Sequence, residues 1–298
     1  MLRAAQLGTP APPRSVTASL SAAIDAQSRK LIAAGRWAHP QQLPRTFIPG
    51  LLSRPWHSVG ADDGSFPHLQ PVVDLLESAA GALSAEFSRL RSNGMLYPET
   101  ECISDAISGA GAWRTYSVNA AWVDRNETSD CSFDTPVACA LLGDIRAAMR
   151  SSVPPFHVLR AGYSALAPKA HLEPHCGMTN GQLKFHVGLD VPSVGKGKDR
   201  RPCAGQCLSL PSALRGPVKT PPASFAEIRV GNETRAWKQG AVIFFDDSWE
   251  HEVWNRCSRE RVVLQLVFAH PDLERADMTG TQGNQALLGQ VFGLVAAH

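Results

Sequence analysis

No apolar run in this 298-residue chain reaches the roughly 18 residues that a membrane-spanning helix needs. A net charge of +2 is too slight to make nucleic acid the main partner. There is no secretory h-region, and no internal repeat. Soft metal ligands are sparse as well. Cys203 and Cys207 form a C-x3-C pair without a second pair close by, which argues against a structural zinc. Seven cysteines, an odd and scattered set, suit a mostly reduced protein, although Cys131 and Cys139 are near enough to close a small bridged loop.

What the chain has is apolar material, 44% of its residues, enough to bury the core of one large domain. Its first 24 residues hold two arginines, no acid and several Ser, Thr and Ala. That is the composition of an organelle transit peptide, or of a free tail leading into the helical pattern "SLSAAIDAQSRKLIAAG". Residues 1–39 are therefore read as an extension and 40–298 as the domain proper, in a cytoplasmic or organellar setting. "PRTFIPGLLSRPWHS" is punctuated by proline and reads as extended chain. "LQPVVDLLESAAGALSAEFSRLRSNG" carries Val73, Leu76, Ala80, Leu83, Phe87 and Leu90 at helical spacing and stops at Ser-Asn-Gly. "PVACALLGDIRAAMRS" reads as a second helix.

Beyond residue 155 the pattern shortens. "FHVLRAGYSAL", "QLKFHVGLDV", "AEIRVGNETRAW", "AVIFFDDSWEHEVWN" and "RVVLQLVFAH" read as strands, with "VGNET" as a hairpin turn. Many short strands with no helix between them favour an antiparallel sandwich or jelly roll over a parallel sheet. The fold class expected is mainly β with flanking helices, its core at about residues 110–273. Residues 193–226 interrupt it with six Lys/Arg against a single Asp199, plus five prolines, and read as an insertion between strands.

The chemistry concentrates in histidines. In "LKFHVGLDV" the alternation of a strand puts Leu183, Phe185, Val187, Leu189 and Val191 on one face and Lys184, His186, Gly188 and Asp190 on the other. His175 follows a proline and precedes Cys-Gly, so backbone geometry holds its ring. His251 arrives on a strand 76 residues later, and Arg261 opens a buried-looking strand whose guanidinium needs an anion. Two imidazoles and a buried cation suggest a metal with open positions and a carboxylate-bearing cosubstrate. Imidazole suits zinc, copper, iron and nickel alike. His171-Leu172-Glu173 offers the His-x-acid pair of a two-histidine, one-carboxylate iron site, whereas His175 has Gly177 in the acid's place, and spacing alone leaves the choice open.

"FIPGLLSRPWHS", "AWRTYSVNAAW", "CALL", "YSALAPKAHLEPHCGMTNGQLKFHVGLDVP", "IRVGNETRAWKQGAVIFFDDSWEHEVWN" and "HPDL" follow one another across about residues 40–273. In these segments the chain resembles the aspartyl/asparaginyl β-hydroxylases, which are iron(II)- and 2-oxoglutarate-dependent oxygenases. The resemblance implies a double-stranded β-helix (jelly-roll) core, with Fe(II), 2-oxoglutarate and O2 as the reacting partners. It implies iron held by His175 and His251 without a protein carboxylate, Gly177 standing where other oxygenases place an acid. It also implies that Arg261 and Ser164 take the distal carboxylate of 2-oxoglutarate, that His186 lies near the chelating end, and that Trp113 lines the pocket. Lys184 stands where relatives usually carry arginine, and Gln182 replaces the first arginine of an R-x-R-x-H pattern that holds an acidic substrate. Asp247 is placed either to hold iron-bound water or to cap its local turn.

Three functional readings follow from the resemblance. The first is hydroxylation of a peptidyl Asp/Asn-like residue. The second is the same chemistry on a small molecule or lipid acyl chain. The third is a jelly-roll binding module without catalysis.

Overall fold

The computed structural model describes residues 39–44, 46–60, 64–98, 107–108, 113–118, 133–154, 156–192 and 226–273. The N-terminal extension, the insertion as far as residue 225, the Cys203/Cys207 pair and Cys131, half of the expected Cys131–Cys139 bridge, fall outside the described residues.

Helix α1 runs Gln70–Ser92, with Pro71 in its first turn, where a missing N–H costs nothing. Val73, Leu76, Ala80, Leu83, Phe87 and Leu90, the stripe predicted from spacing, are all buried. Helix α2, Pro136–Ala148, packs beside it and has no side-chain cap of its own. Glu86 of α1 supplies one. Fully buried, its carboxylate accepts from the amides of Val137 at 2.6 Å and Ala138 at 3.0 Å, and from the Tyr163 hydroxyl at 2.6 Å. A carboxylate at a helix N-terminus meets free N–H groups and the positive end of the dipole, which compensates its burial.

Both helices lie against one sheet of a two-sheet sandwich. Among the described residues eleven short strands form it: β1 Tyr97–Pro98, β2 Ile107–Ser108, β3 Trp113–Ser117, β4 Val158–Leu166, β5 His171–His175 and β6 Gln182–Asp190, then β7 Ala226–Val230, β8 Glu233–Ala236, β9 Val242–Phe245, β10 His251–Asn255 and β11 Arg261–Ala269. The larger sheet has the order β1-β3-β4-β11-β6-β9 and the smaller β2-β5-β10-β7-β8, with every pair antiparallel. From β4 onward the chain passes back and forth between the sheets, which makes the core a double-stranded β-helix, or jelly roll. The fold is mainly β with flanking helices, as expected.

Two local readings need correction. "AVIFFDDSWEHEVWN" is not one strand: β9 and β10 lie in different sheets, and Asp246–Trp249 turn between them, with the Ser248 amide donating to Asp246 Oδ1 at 2.9 Å. An Asx-type bond of that kind offers the backbone an alternative to the ladder. "HLEPH", absent from the strands expected above, is strand β5. The cysteines also depart from the reduced reading, since Cys139 and Cys257 are each in a disulfide, with partners that are not among the described residues, and Cys176 alone is free among the described residues.

Apolar packing occurs in two layers. Alternate residues Ala161, Tyr163, Ala165, Leu183, Phe185, Val187, Val262, Leu264, Leu266 and Phe268 face the helices. Leu166, Leu172, Ile228, Val230, Trp237, Phe245, Val253 and Val263 fill the space between the sheets.

In the helical layer His57 is 4% exposed, with ring centroids 5.1 Å from both Phe66 and Phe244, and neither ring nitrogen has a partner among the described residues. Burial, followed by the nearby His270, pulls its pKa from 6.5 down to about 3. The unfolded chain therefore takes up a proton that the folded one refuses below pH 6.5, and stability is lost as pH falls from there toward 3. The slope is up to about 1.4 kcal/mol per pH unit for one such histidine. We expect the melting temperature to fall across this window and the fall to become shallower in His57→Phe. An unchanged slope in that variant would show that His57 does not contribute.

Candidate metal and cosubstrate site

The inward face of the large sheet can be read as rows across β4, β11 and β6. Ser164, Val263 and Gly188 form one row, Gly162, Gln265 and His186 the next, and Arg160, Val267 and Lys184 the third, with Arg261 beside Leu166 at the deep end. The small sheet closes over this floor and brings the two candidate ligands with it.

His175 and His251 are directly opposite each other on β5 and β10, ring centroids 4.1 Å apart. A β-bulge makes that possible. Between Leu172↔Val253 and His175↔His251, β5 runs three residues while β10 runs two. Unbroken alternation from buried Leu172 would have turned His175 outward with Glu173. The extra residue, at Glu173-Pro174, turns it back inward, and proline at that position has no N–H for the ladder to lose. Glu173 stays exposed. His171 stays on the outer face too, its Nε2 2.8 Å from Glu252 Oε1 and its ring stacked on Trp254, so the structure separates His171 and Glu173 from the facing pair.

Each facing ring is oriented by its backbone. His175 Nδ1 donates to the carbonyl of Glu173 at 2.7 Å and His251 Nδ1 to that of Trp249 at 2.9 Å, which leaves the lone pair of both rings on Nε2. Burial holds the pKa of His175 below its ordinary value, and burial with the neighbouring His175 holds that of His251 well below. Both rings are neutral at physiological pH, the form in which imidazole binds a metal.

The space beside Gly177 is filled from elsewhere in the chain. A Cβ on Gly177 would meet Cγ of Asp247 at 2.5 Å and Oδ1 at 2.8 Å, so a side chain there and the Asp247 carboxylate exclude each other. Asp247 is 2% exposed, ion-paired through Oδ2 to Lys184 Nζ at 2.7 Å, with Oδ1 unpartnered among the described residues.

Deeper on the same face lies a buried cation. Arg261 is 2% exposed, and its Nε and Nη1 have no hydrogen-bond partner among the described residues. Burial pulls its pKa down to about 9, the signature of a cation short of an anion. Its guanidinium stacks 4.6 Å over Trp237, whose indole N–H is also orphaned. Trp113 Nε1 donates to Ser164 Oγ at 2.7 Å, which leaves the Ser164 hydroxyl hydrogen free to donate in turn. His186 is stacked on Trp237 with centroids 6.1 Å apart; its Nε2 is 3.2 Å from Gln265 Oε1 and its Nδ1 is unpartnered.

All seven predicted positions, His175, His251, Ser164, Lys184, His186, Arg261 and Trp113, thus belong to one inward-facing region. Sequence reading missed Trp237, which follows the end of β8 and meets Arg261 only through the fold. It also missed the commitment of Lys184 to Asp247. No group of three or more His, Cys, Asp or Glu among the described residues could hold a metal. Among the described residues the candidate donors are thus the two facing imidazoles; such a pair would fit iron(II) bound without a protein carboxylate, and the buried guanidinium would fit a dicarboxylate beside it.

Comparison with known proteins bears on the same residues. Residues 77–208 and 213–271 match the family described as aspartyl/asparaginyl beta-hydroxylase. The aspartyl/asparaginyl beta-hydroxylase of Mus musculus is 27% identical over 186 residues, 61% of this chain and 19% of that protein. The ornithine lipid ester-linked acyl 2-hydroxylase of Rhizobium tropici is 32% identical over 111 residues, 37% of this chain and 30% of that protein. In both cases less than a third of the relative's length is matched. A prolyl-4-hydroxylase from Pseudomonas putida has a TM-score of 0.37 at 15% identity, covering 68% of this chain and 89% of that one, a likeness too slight to carry an argument. No helix of the described residues is long and apolar enough to cross a membrane. The family match covers well over half of the sequence and takes in every strand from β3 to β11, so the chain belongs to the aspartyl/asparaginyl beta-hydroxylase family.

Proposed function

We propose that the chain is an iron(II)- and 2-oxoglutarate-dependent hydroxylase that oxidises an unactivated carbon, in an Asp- or Asn-like residue of a peptide. One observation carries the reading: a facing pair of neutral histidines with a buried, unpaired arginine on the same inward face. When bound, the metal and its cosubstrate supply oxygen activation and C–H hydroxylation, with 2-oxoglutarate leaving as succinate and carbon dioxide.

The chain's own residues do the rest. His175 and His251 hold the metal through Nε2. Arg261 pairs the far carboxylate of 2-oxoglutarate while Ser164 donates its free hydroxyl hydrogen to it, a desolvated charge-assisted contact that fixes the molecule's direction. Trp113 and Trp237 wall the same space and keep water out, which strengthens that contact. His186 meets the chelating end only with its proton on Nδ1; rotation of the Gln265 amide would present a donor to Nε2 and allow that tautomer. Asp247, tethered by Lys184, has Oδ1 free to accept from water beside the histidines.

A second reading keeps the chemistry and changes the substrate to a small molecule or lipid acyl chain. It is favoured by Gln182 and by the committed Lys184, which leave β6 without a free cation, and by the Rhizobium relative's name.

Anaerobic titration with iron(II) and 2-oxoglutarate should produce a metal-to-ligand absorption band, and His251→Ala should weaken iron binding by at least about ten-fold, the loss typical of even an outer-sphere partner. Succinate release across peptides and small acids then separates the two substrate readings. A wild-type protein that gives no band rejects the hydroxylase assignment.

A further inference from the structure

The substrate side of this site lacks the cations its sequence pattern would lead one to expect. Gln182 is neutral, and Lys184 is held by Asp247 at 2.7 Å. The strand register nonetheless sets a guanidinium on the same floor from another strand. Ala161, Tyr163 and Ala165 of β4 are buried against the helices, so Arg160, Gly162 and Ser164 face inward. Val267 of β11 pairs with Arg160 on one side and with Lys184 on the other. Arg160 therefore stands two strands from Lys184, about 10 Å across the sheet, at the level of the ion pair beside the histidines.

Two further features favour an anion at that point. Gly162, one row deeper, cannot take a side chain without crowding, since a Cβ there would meet the carbonyl oxygen of Tyr116 at 2.9 Å. No side chain of β4 therefore stands between Arg160 and the Ser164 row. Arg160 is itself half-buried and forms no ion pair or side-chain hydrogen bond with a described residue. A guanidinium partly removed from water gains most from a carboxylate that matches its planar fork.

We infer that Arg160 anchors an anionic, carboxylate-class group of the substrate, taking from β4 the role that β6 does not fill in this chain. The inference rests on the hydroxylase reading and deepens it: the substrate carries an anion near the carbon to be oxidised. Arg261 serves the cosubstrate and Arg160 the substrate, on one floor and three rows apart.

The test uses two short peptides that differ only in a central Asp or Asn, titrated calorimetrically into the full chain loaded with iron(II) and 2-oxoglutarate without oxygen. The Asp peptide should bind tighter than its Asn twin by about ten-fold or more. Arg160→Met should close that gap and Arg160→Lys should keep most of it. Equal binding of the twins to the wild-type protein, including no binding of either, overturns the inference. So does a gap that survives Arg160→Met and closes in Lys184→Met. Failure of the hydroxylase reading is seen separately, as the missing absorption band before any peptide is added.

Discussion

Arg261→Gln should raise the dissociation constant for 2-oxoglutarate by about 30-fold to about 5,000-fold, the 2 to 5 kcal/mol typical of a desolvated charge pair. The same substitution should leave the ligand-free protein no less stable. In that state Nε and Nη1 of Arg261 are buried without partners among the described residues, so a neutral side chain removes a cost and the Trp237 stacking is lost. Two thermal-shift measurements separate these effects. The melting temperature of the free protein should hold or rise, while the increment produced by saturating 2-oxoglutarate should shrink. Equal affinity of Arg261→Gln and wild type would mean that the guanidinium does not contact the cosubstrate.

Adding a side chain at position 177 should be nearly as damaging, by a steric route. The methyl of Gly177→Ala would overlap the Asp247 carboxylate and push it off Lys184, at the 1–3 kcal/mol typical of overpacking, or about 2–4 °C of melting temperature per kcal/mol. Gly177→Asp should cost more, since two carboxylates would compete for one space beside a single lysine. The double variant Gly177→Asp/Asp247→Gly moves the acid from the β9–β10 turn to the segment after β5 and should recover both folding and iron binding. A single Gly177→Asp that folds normally and binds iron more tightly than wild type would show that Asp247 yields easily, and that its occupancy of the acid's position does not explain the glycine.

How much of this was legible beforehand depended on whether the signal was local. The buried stripe of α1 and the inward turn of Lys184 and His186 on β6 follow from period alone, 3.6 for one and 2 for the other. The burial of Arg261 at the start of β11 was readable in the same way. Period also misleads wherever a bulge interrupts it. Nothing in "HLEPH" declares that Glu173 and Pro174 together oppose one residue of β10, and simple alternation would have sent His175 to the outer face with Glu173. Glu86 gives no sequence sign either, because the amides it caps are 51 and 52 residues away.

The order of residues by itself determined the helix stripe, the strand alternation and, through the P-H-x-G, N-E-T-R-x-W and E-H-E segments, the resemblance to one family. Those are properties of neighbours along the chain, set by backbone geometry and side-chain shape. Tertiary structure alone decided that two histidines 76 positions apart face each other at 4.1 Å, that Asp247 takes the space above Gly177, and that Arg160 shares a row with Lys184. Such relations depend on strand register and on how one sheet closes over the other, and a one-residue slip in either would reverse which side chains meet.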